Sequence, residues 1–315
     1  MRSARADLLL LAALITVAMY FVRAERWQYL LEPLGHTRFW IAFKTTVIGF
    51  AALLVLPARA GEVLRPYLLA RREGLPATAV FATIIVERIL DLAAMLLWLG
   101  VYLVWFGEDA ARAAPALYRA IVIGGSVMGA VALAVLGTMF VMAGHPERLH
   151  GLVLNIERVL PQRLAHAVAR LARTFAQGLA VVRRPRRIVL ALGWSLVLWI
   201  LIALYGWLVA RAFGIDFPLP GSFLLSAMLV VGVAVPTPGG VGAVHEAFRL
   251  GVTSFFAADN DTAVGAAIVL HGLTTVLVVA AGFWFAMRDG LTIGNLKTLA
   301  GQARSTGTRE AEVNP

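Results

Sequence analysis

The sequence predicts an all-α, polytopic membrane helix bundle. Three observations carry that prediction. Hydrophobic residues make up 60% of the 315 and charged residues only 15%, against nearly half and about a quarter in soluble domains. Long apolar stretches recur along the chain, near the roughly 20 residues that cross about 30 Å of hydrocarbon. The basic residues behind the net charge of +10 gather between those stretches. A soluble enzyme is excluded. A cysteine count of zero excludes a disulfide scaffold, a thiolate metal site and a cysteine nucleophile.

The elements follow in order. The stretch Asp7 to Val22 comes after Arg2 and Arg5 and lacks a well-placed small-x-small cleavage site, so it is expected to persist as a signal anchor. Spans are expected over Trp40 to Leu56, Ala77 to Val104, Ala120 to Met142, Ile188 to Ala212 and Thr262 to Met287. Ser222 to Val235 is apolar but only 14 residues long, about 21 Å of helix at 1.5 Å per residue. The run Pro236-Thr237-Pro238-Gly239-Gly240 breaks it, and a second short helix covers Val241 to Phe256. This pair reads as a re-entrant hairpin or two abutting short spans. The total is about six full spans plus the broken pair, up to eight membrane segments.

Charge gives the orientation. With the N-terminus inside, 19 of the 28 Lys and Arg fall in inside segments, six in outside segments and three within spans. The positive-inside rule then predicts that both termini are cytoplasmic. The connector Glu147 to Arg184 lies on that side. Leu152, Ile156, Val159, Leu160, Leu164, Val168, Leu171 and Phe175 recur near helical spacing, with Arg158, Arg163, Arg170 and Arg173 between them. This is an amphipathic helix suited to the anionic cytoplasmic leaflet, either as a surface connector or as a lipid sensor. Residues 1–290 form a single integral membrane domain, and the polar stretch 291–315 is expected to be a disordered cytoplasmic tail. With the basic residues facing lipid, no nucleic-acid partner is expected.

Ionisable residues at bilayer depth are costly and mark function by default. Three places carry them. In the third span, Glu87 and Asp91 are one turn apart and share a helix face, and Arg88 reaches Asp91 at i,i+3. Upstream, Glu62 and Arg65 are i,i+3 on a short helix after Pro57, which lies in the interface or dips into the bundle. At the broken pair, prolines stop the first half-helix and Gly239 and Gly240 permit close backbone approach. The second half-helix aims its first N–H groups at the break, which favours an anion, and Glu246 follows a turn and a half later. Each place has a plainer reading: a self-neutralised packing cluster, an interfacial helix and a kinked hairpin. Six histidines at 36, 145, 150, 166, 245 and 271 show no ligand spacing, so no metal is expected. His245 and His271 line a cavity or pack. No phosphate-binding loop or nucleophile elbow is present, and no cofactor is expected.

These residues, taken together, resemble a known family. The runs are Arg59-Ala60-Gly61-Glu62-Val63-Leu64-Arg65-Pro66, then Val86-Glu87-Arg88-Ile89-Leu90-Asp91, then Pro236-Thr237-Pro238-Gly239-Gly240-Val241-Gly242 with Glu246 after it. In that order they are similar to the transmembrane-region family of lysylphosphatidylglycerol synthases, the flippase-like membrane proteins. The resemblance covers roughly Leu8 to Met287. It implies a protein of the bacterial cytoplasmic membrane that translocates a phospholipid or lipid-linked substrate between leaflets. It also implies a headgroup site drawn from Glu62, Arg65, Glu87, Arg88, Asp91, Pro238, Gly239, Gly240 and Glu246. Arg65 and Arg88 would take phosphate, and the carboxylates would neutralise them or take an amine. About 28 residues follow Met287, so the soluble aminoacyl-transferase domain of the fused synthases is expected to be missing and the chain not to be an enzyme. Two alternatives remain open: a membrane transferase acting on a polyprenyl-phosphate-linked substrate, and a non-catalytic partner of a separate lipid-modifying synthase.

Overall fold

The structure is a computed structural model and describes residues 4–56, 59–144, 174, 177–235 and 237–290. The connector around 147–173 and the tail 291–315 lie outside the described residues, as do Pro57, Ala58 and Pro236. Among the described residues all regular structure is helical. The main helices are α1 (Ala6–Leu31), α2 (Phe39–Val55), α3 (Gly61–Glu73), α4 (Ala77–Ala113), α5 (Pro115–Gly144), α6 (Pro185–Ala212), α7 (Gly221–Ala234), α8 (Ala243–Phe256) and α9 (Asn260–Arg288). Short 3-10 turns cover Glu32–Leu34, Ala180–Arg183 and Pro238–Gly240.

The all-α polytopic reading holds, and two details sharpen it. Five helices, α1, α4, α5, α6 and α9, are long and apolar enough to cross a membrane. The stretch expected as the second span is instead α2, a helix of 17 residues. It folds back on α3, and the open ends of the hairpin meet where the Arg38 backbone N–H donates to Glu73 Oε1 at 3.1 Å. Among the described residues there are thus two short-helix hairpins, α2–α3 as well as the expected α7–α8. In addition, α1 runs nine residues past Val22 to Leu31, so Arg23, Glu25 and Arg26 are helical.

The helix ends follow local chemistry. Leu56 turns to extended backbone (ψ 144°) ahead of Pro57, and Val235 does the same (ψ 125°) ahead of Pro236, because proline disfavours the helical region for the residue before it. α3 stops at Gly74 in the left-handed region, and Leu75 N–H returns to Ala70 O at 2.9 Å. α9 starts where Asp259 Oδ2 accepts from Thr262 N–H at 3.0 Å. That bond, from an exposed loop, holds the Asp259 carboxyl below the usual aspartate range.

The helices form two compact units. One comprises Met1–Arg23, Asp91–Ala132 and Gly193–Val278. Its core joins Ala12 and Met19 of α1 to Leu198, Tyr205 and Val209 of α6, Phe248 and Val252 of α8, and Ala263 and Leu270 of α9. The other comprises Ala24–Leu90, Leu133–Leu192 and Val279–Pro315. Its core joins Trp27 and Leu30 of α1 to Leu69 of α3, Val80, Ala82 and Val86 of α4, and Leu179 and Val181. The hairpin α2–α3 belongs wholly to the second unit and α7–α8 wholly to the first.

Candidate functional site

The hairpin α2–α3 is built on glycines. A Cβ on Gly61 would stand 2.1 Å from Gly49 O, and one on Gly49 would stand 2.5 Å from Arg65 Cβ. Only glycine at both positions lets the two helices close, and the closure carries Arg65 inward. Arg65 then grips Glu87 of α4 with both ends of its guanidinium, Nη1 to Oε1 at 2.8 Å and Nη2 to Oε2 at 3.1 Å. Its Nε donates to Thr46 Oγ1 at 3.2 Å, and its planar head lies 4.0 Å from the Trp27 ring centroid. Trp27 is fixed in turn by its Nε1–H on Thr83 Oγ1 at 3.0 Å. Arg26 Nη2 reaches the same Glu87 Oε1 at 3.1 Å. Arg26 and Glu87 are fully buried, and Arg65 is 3% exposed. Bidentate, stacked geometry is what guanidinium offers and ammonium does not.

Of the residues the sequence singled out here, the structure joins Arg65 and Glu87. It does not join Glu62 to Arg65: Glu62 pairs with Arg59 at 2.9 Å, both partly exposed. Arg88 is exposed while Glu87 and Asp91 are buried. Besides Arg65, the guanidinium beside Glu87 in the core is Arg26, which falls past the apolar stretch Asp7 to Val22. A helical α1 was the signal that could have found it.

The hairpin α7–α8 also closes through glycines. A Cβ on Gly251 would meet Leu225 Cδ2 at 2.4 Å, and one on Gly232 would meet Ala243 O at 2.8 Å. Between the arms the backbone is irregular. Gly239, Gly240 and Gly242 have φ of 61°, 78° and 85°, a region costly for residues with a Cβ. α8 opens without a side-chain cap, so its first N–H groups have no acceptor within the helix. Glu246 pairs with Arg249 one turn on, including Arg249 Nε to Oε2 at 2.7 Å, and Arg249 Nη1 reaches Asn260 Oδ1 at 2.8 Å. Unlike the α2–α3 cluster, this pair is open to the surroundings, with side chains 28% and 52% exposed.

Chemically, the first cluster holds charge away from everything except protein, whereas the second presents an exchangeable ion pair beside an irregular backbone. Among the described residues no group of three or more metal-ligating side chains comes together.

The chain matches, over residues 1–282, the family described as the lysylphosphatidylglycerol synthase TM region. It is similar to a protein of Haloferax volcanii named glycosyltransferase AglD, with 26% identity over 294 residues, covering 86% of this chain and 47% of the relative. It is also similar to a UPF0104 membrane protein of Methanocaldococcus jannaschii, with 28% identity over 93 residues, covering 29% of this chain and 28% of the relative. The chain spans less than half the length of each of these relatives.

Proposed function

Because the chain belongs to the lysylphosphatidylglycerol synthase transmembrane-region family, we propose that it moves a phospholipid or lipid-linked headgroup between membrane leaflets. The observation that carries this reading is the exposed Glu246–Arg249 pair one turn from the glycine break. A headgroup cannot cross hydrocarbon without its polar groups being met. An ion pair that is solvated and local can trade its internal partner for a ligand: phosphate for Arg249, an amine for Glu246. Broken short helices are the usual setting for such sites in transporters. Of the expected headgroup residues, Pro238, Gly239, Gly240 and Glu246 meet the headgroup at the α7–α8 break in this reading, and Glu62 and Arg88 belong to the unit of the α2–α3 hairpin. Arg65 and Glu87 act as positioning residues that set the α2–α3 hairpin, and Asp91 lies one turn beyond Glu87 on α4.

The topology of this reading has five crossings, since α2 and α3 return to the side they leave. The termini then lie on opposite faces, in place of the two cytoplasmic termini expected from the positive-inside rule over six spans. The nine basic residues in 143–187 and four in 288–315 put the C-terminal face in the cytoplasm. The native chain has no cysteine, so single cysteines at positions 5 and 289 report sidedness directly. Equal labelling of both from one face would refute five crossings.

The test of function is leaflet transfer. The purified chain in proteoliposomes with fluorescent phosphatidylglycerol in both leaflets should make more label accessible to an external quencher over time than protein-free vesicles do. No transfer of this lipid or of a polyprenyl-phosphate analogue would sink the proposal. The name of the Haloferax relative, a glycosyltransferase, favours a second reading, a membrane transferase, for which a polyprenyl-phosphate-linked substrate is the sequence-based alternative. Labelled product formed by the purified chain would select it. Burial and double pairing of Glu87 count against that residue as a catalytic base.

A further inference from the structure

His245 and His271 belong to none of the ion pairs above, yet they meet at the glycine break. His245 lies in the first turn of α8 and His271 on α9, with ring centroids 5.0 Å apart in an edge-on arrangement. His271 also borders the break itself: a Cβ on Gly240 would stand 3.5 Å from its Cε1. Three buried polar side-chain atoms in this neighbourhood have no hydrogen-bond partner in the protein: Nδ1 of His271, Oγ1 of Thr275 one turn further along α9, and Oγ1 of Thr237, which opens the break. Buried polar groups are normally paired, and an orphan calls for an explanation.

The chemistry of these groups selects the partner. The hydroxyls of Thr237 and Thr275 and the imidazole of His245 can donate, His271 is held at the break by a hydrogen bond to the Gly239 backbone, and the uncapped first N–H groups of α8 add donors. Acceptors are the scarce kind: the acidic residue in the first turn of α8, Glu246, already pairs with Arg249. A cation would find two hydroxyls and a carboxylate already paired with Arg249, beside a helix end that disfavours positive charge. A compact group with several acceptor oxygens meets the hydroxyl, His245 and helix N–H donors together, with the His271 ring bordering it. We infer that Thr237, His245, His271 and Thr275, with the first turn of α8, form a phosphate-binding site. Resting on the translocation reading above, the phosphate is the phosphodiester of a lipid headgroup.

The test uses the full chain in a maltoside detergent and phosphate-free buffer. Thermal shift and calorimetric titration are run with inorganic phosphate, with dihexanoyl phosphatidylglycerol, and with dihexanoylglycerol, which has no phosphate. The phosphate-bearing probe should raise the melting temperature and bind saturably, and dihexanoylglycerol should not. His271→Gln and Thr275→Val should each weaken binding about tenfold or more, and His36→Gln, an exposed site, should not. Melting curves without ligand confirm that the variants are folded, and Thr237→Val serves should either of them fail. Binding of the diester without inorganic phosphate assigns the site to a lipid headgroup. The reverse assigns it to a free anion, keeping the phosphate site and removing the lipid. Binding of neither, or binding that these variants leave within twofold, overturns the inference. If the native chain binds the diester yet transfers no lipid, the site stands and the translocation reading falls. If it transfers lipid unchanged in variants that no longer bind, translocation stands and the site's part in it falls.

Discussion

The two hairpins use the same backbone device to opposite ends. Each is an apolar helix halted before a proline, a break, and a second helix carrying Glu-x-x-Arg, at Glu62–Arg65 and at Glu246–Arg249. Each closes through glycines whose added Cβ would collide with the opposite arm. In α7–α8 the Glu and Arg pair with one another on their own helix. In α2–α3 they part company: Glu62 turns to Arg59, and Arg65 leaves for Glu87 on α4. The difference is a third residue. Where a distant carboxylate is on offer in the core, the arginine is drawn in and becomes a fastening; where none is, the pair stays local and exchangeable.

The largest expected effect comes from removing the distant carboxylate. Glu87→Gln leaves Arg65 and Arg26 buried without their shared anion, which costs about 3–5 kcal/mol for a broken buried pair. Folded yield by size exclusion and the melting temperature should both collapse. Next is steric: Gly61→Ala must push α3 away from Gly49 O, at about 1–3 kcal/mol for overpacking. Gly251→Ala, which meets only the flexible ends of the Leu225 and Met228 side chains, should lower the melting temperature less. If Gly251→Ala proved the worse of the two, the glycines would not be equivalent devices.

Third, Glu246→Gln should separate the hairpins by function. Exposed pairs add little stability, so the melting temperature should stay within about 2 °C, while leaflet transfer falls severalfold. A folded Glu246→Gln protein with full transfer would erase the contrast. The smallest effect is at the α9 cap. Asp259 holds a lowered pKa because the Thr262 N–H bonds its charged form. That contribution is present above the ordinary aspartate value and is lost as pH falls through the lower folded one. Asp259→Ala should therefore melt slightly earlier than the native protein at neutral pH, and the gap should close in acid.

Much of this was legible in the sequence. Spans show as long apolar runs, and the broken pair shows because fourteen apolar residues bounded by prolines cannot cross. Glu87 stands out because nothing else explains a carboxylate in that setting. The α2–α3 hairpin was less legible, since Trp40 to Leu56 is apolar enough to pass as a span and only the meeting of Arg38 with Glu73 reveals the return. Arg88 illustrates a different gap. Neighbours on a helix point about 100° apart, so Glu87 and Arg88 cannot share one face, and the side on which each falls depends on packing that no single segment encodes. Arg26 was hidden because hydropathy ends a helix where charge begins, whereas the backbone of α1 runs on to Leu31.

The order of residues in the Glu87 cluster has a consequence for synthesis. Arg26 and Arg65 both leave the ribosome before the carboxylate that neutralises them, Arg65 by 22 residues. At the usual 5–20 residues per second, that is roughly one to four seconds during which the first hairpin exists without its anion. The hairpin cannot settle in its final place as it emerges. It must wait at the membrane surface, or beside the insertion machinery, until α4 arrives to receive it. Insertion of this chain is then paced by its third apolar stretch, and a cysteine placed in α3 should remain open to an aqueous label in nascent chains cut just before Glu87 and become protected in chains cut after α4.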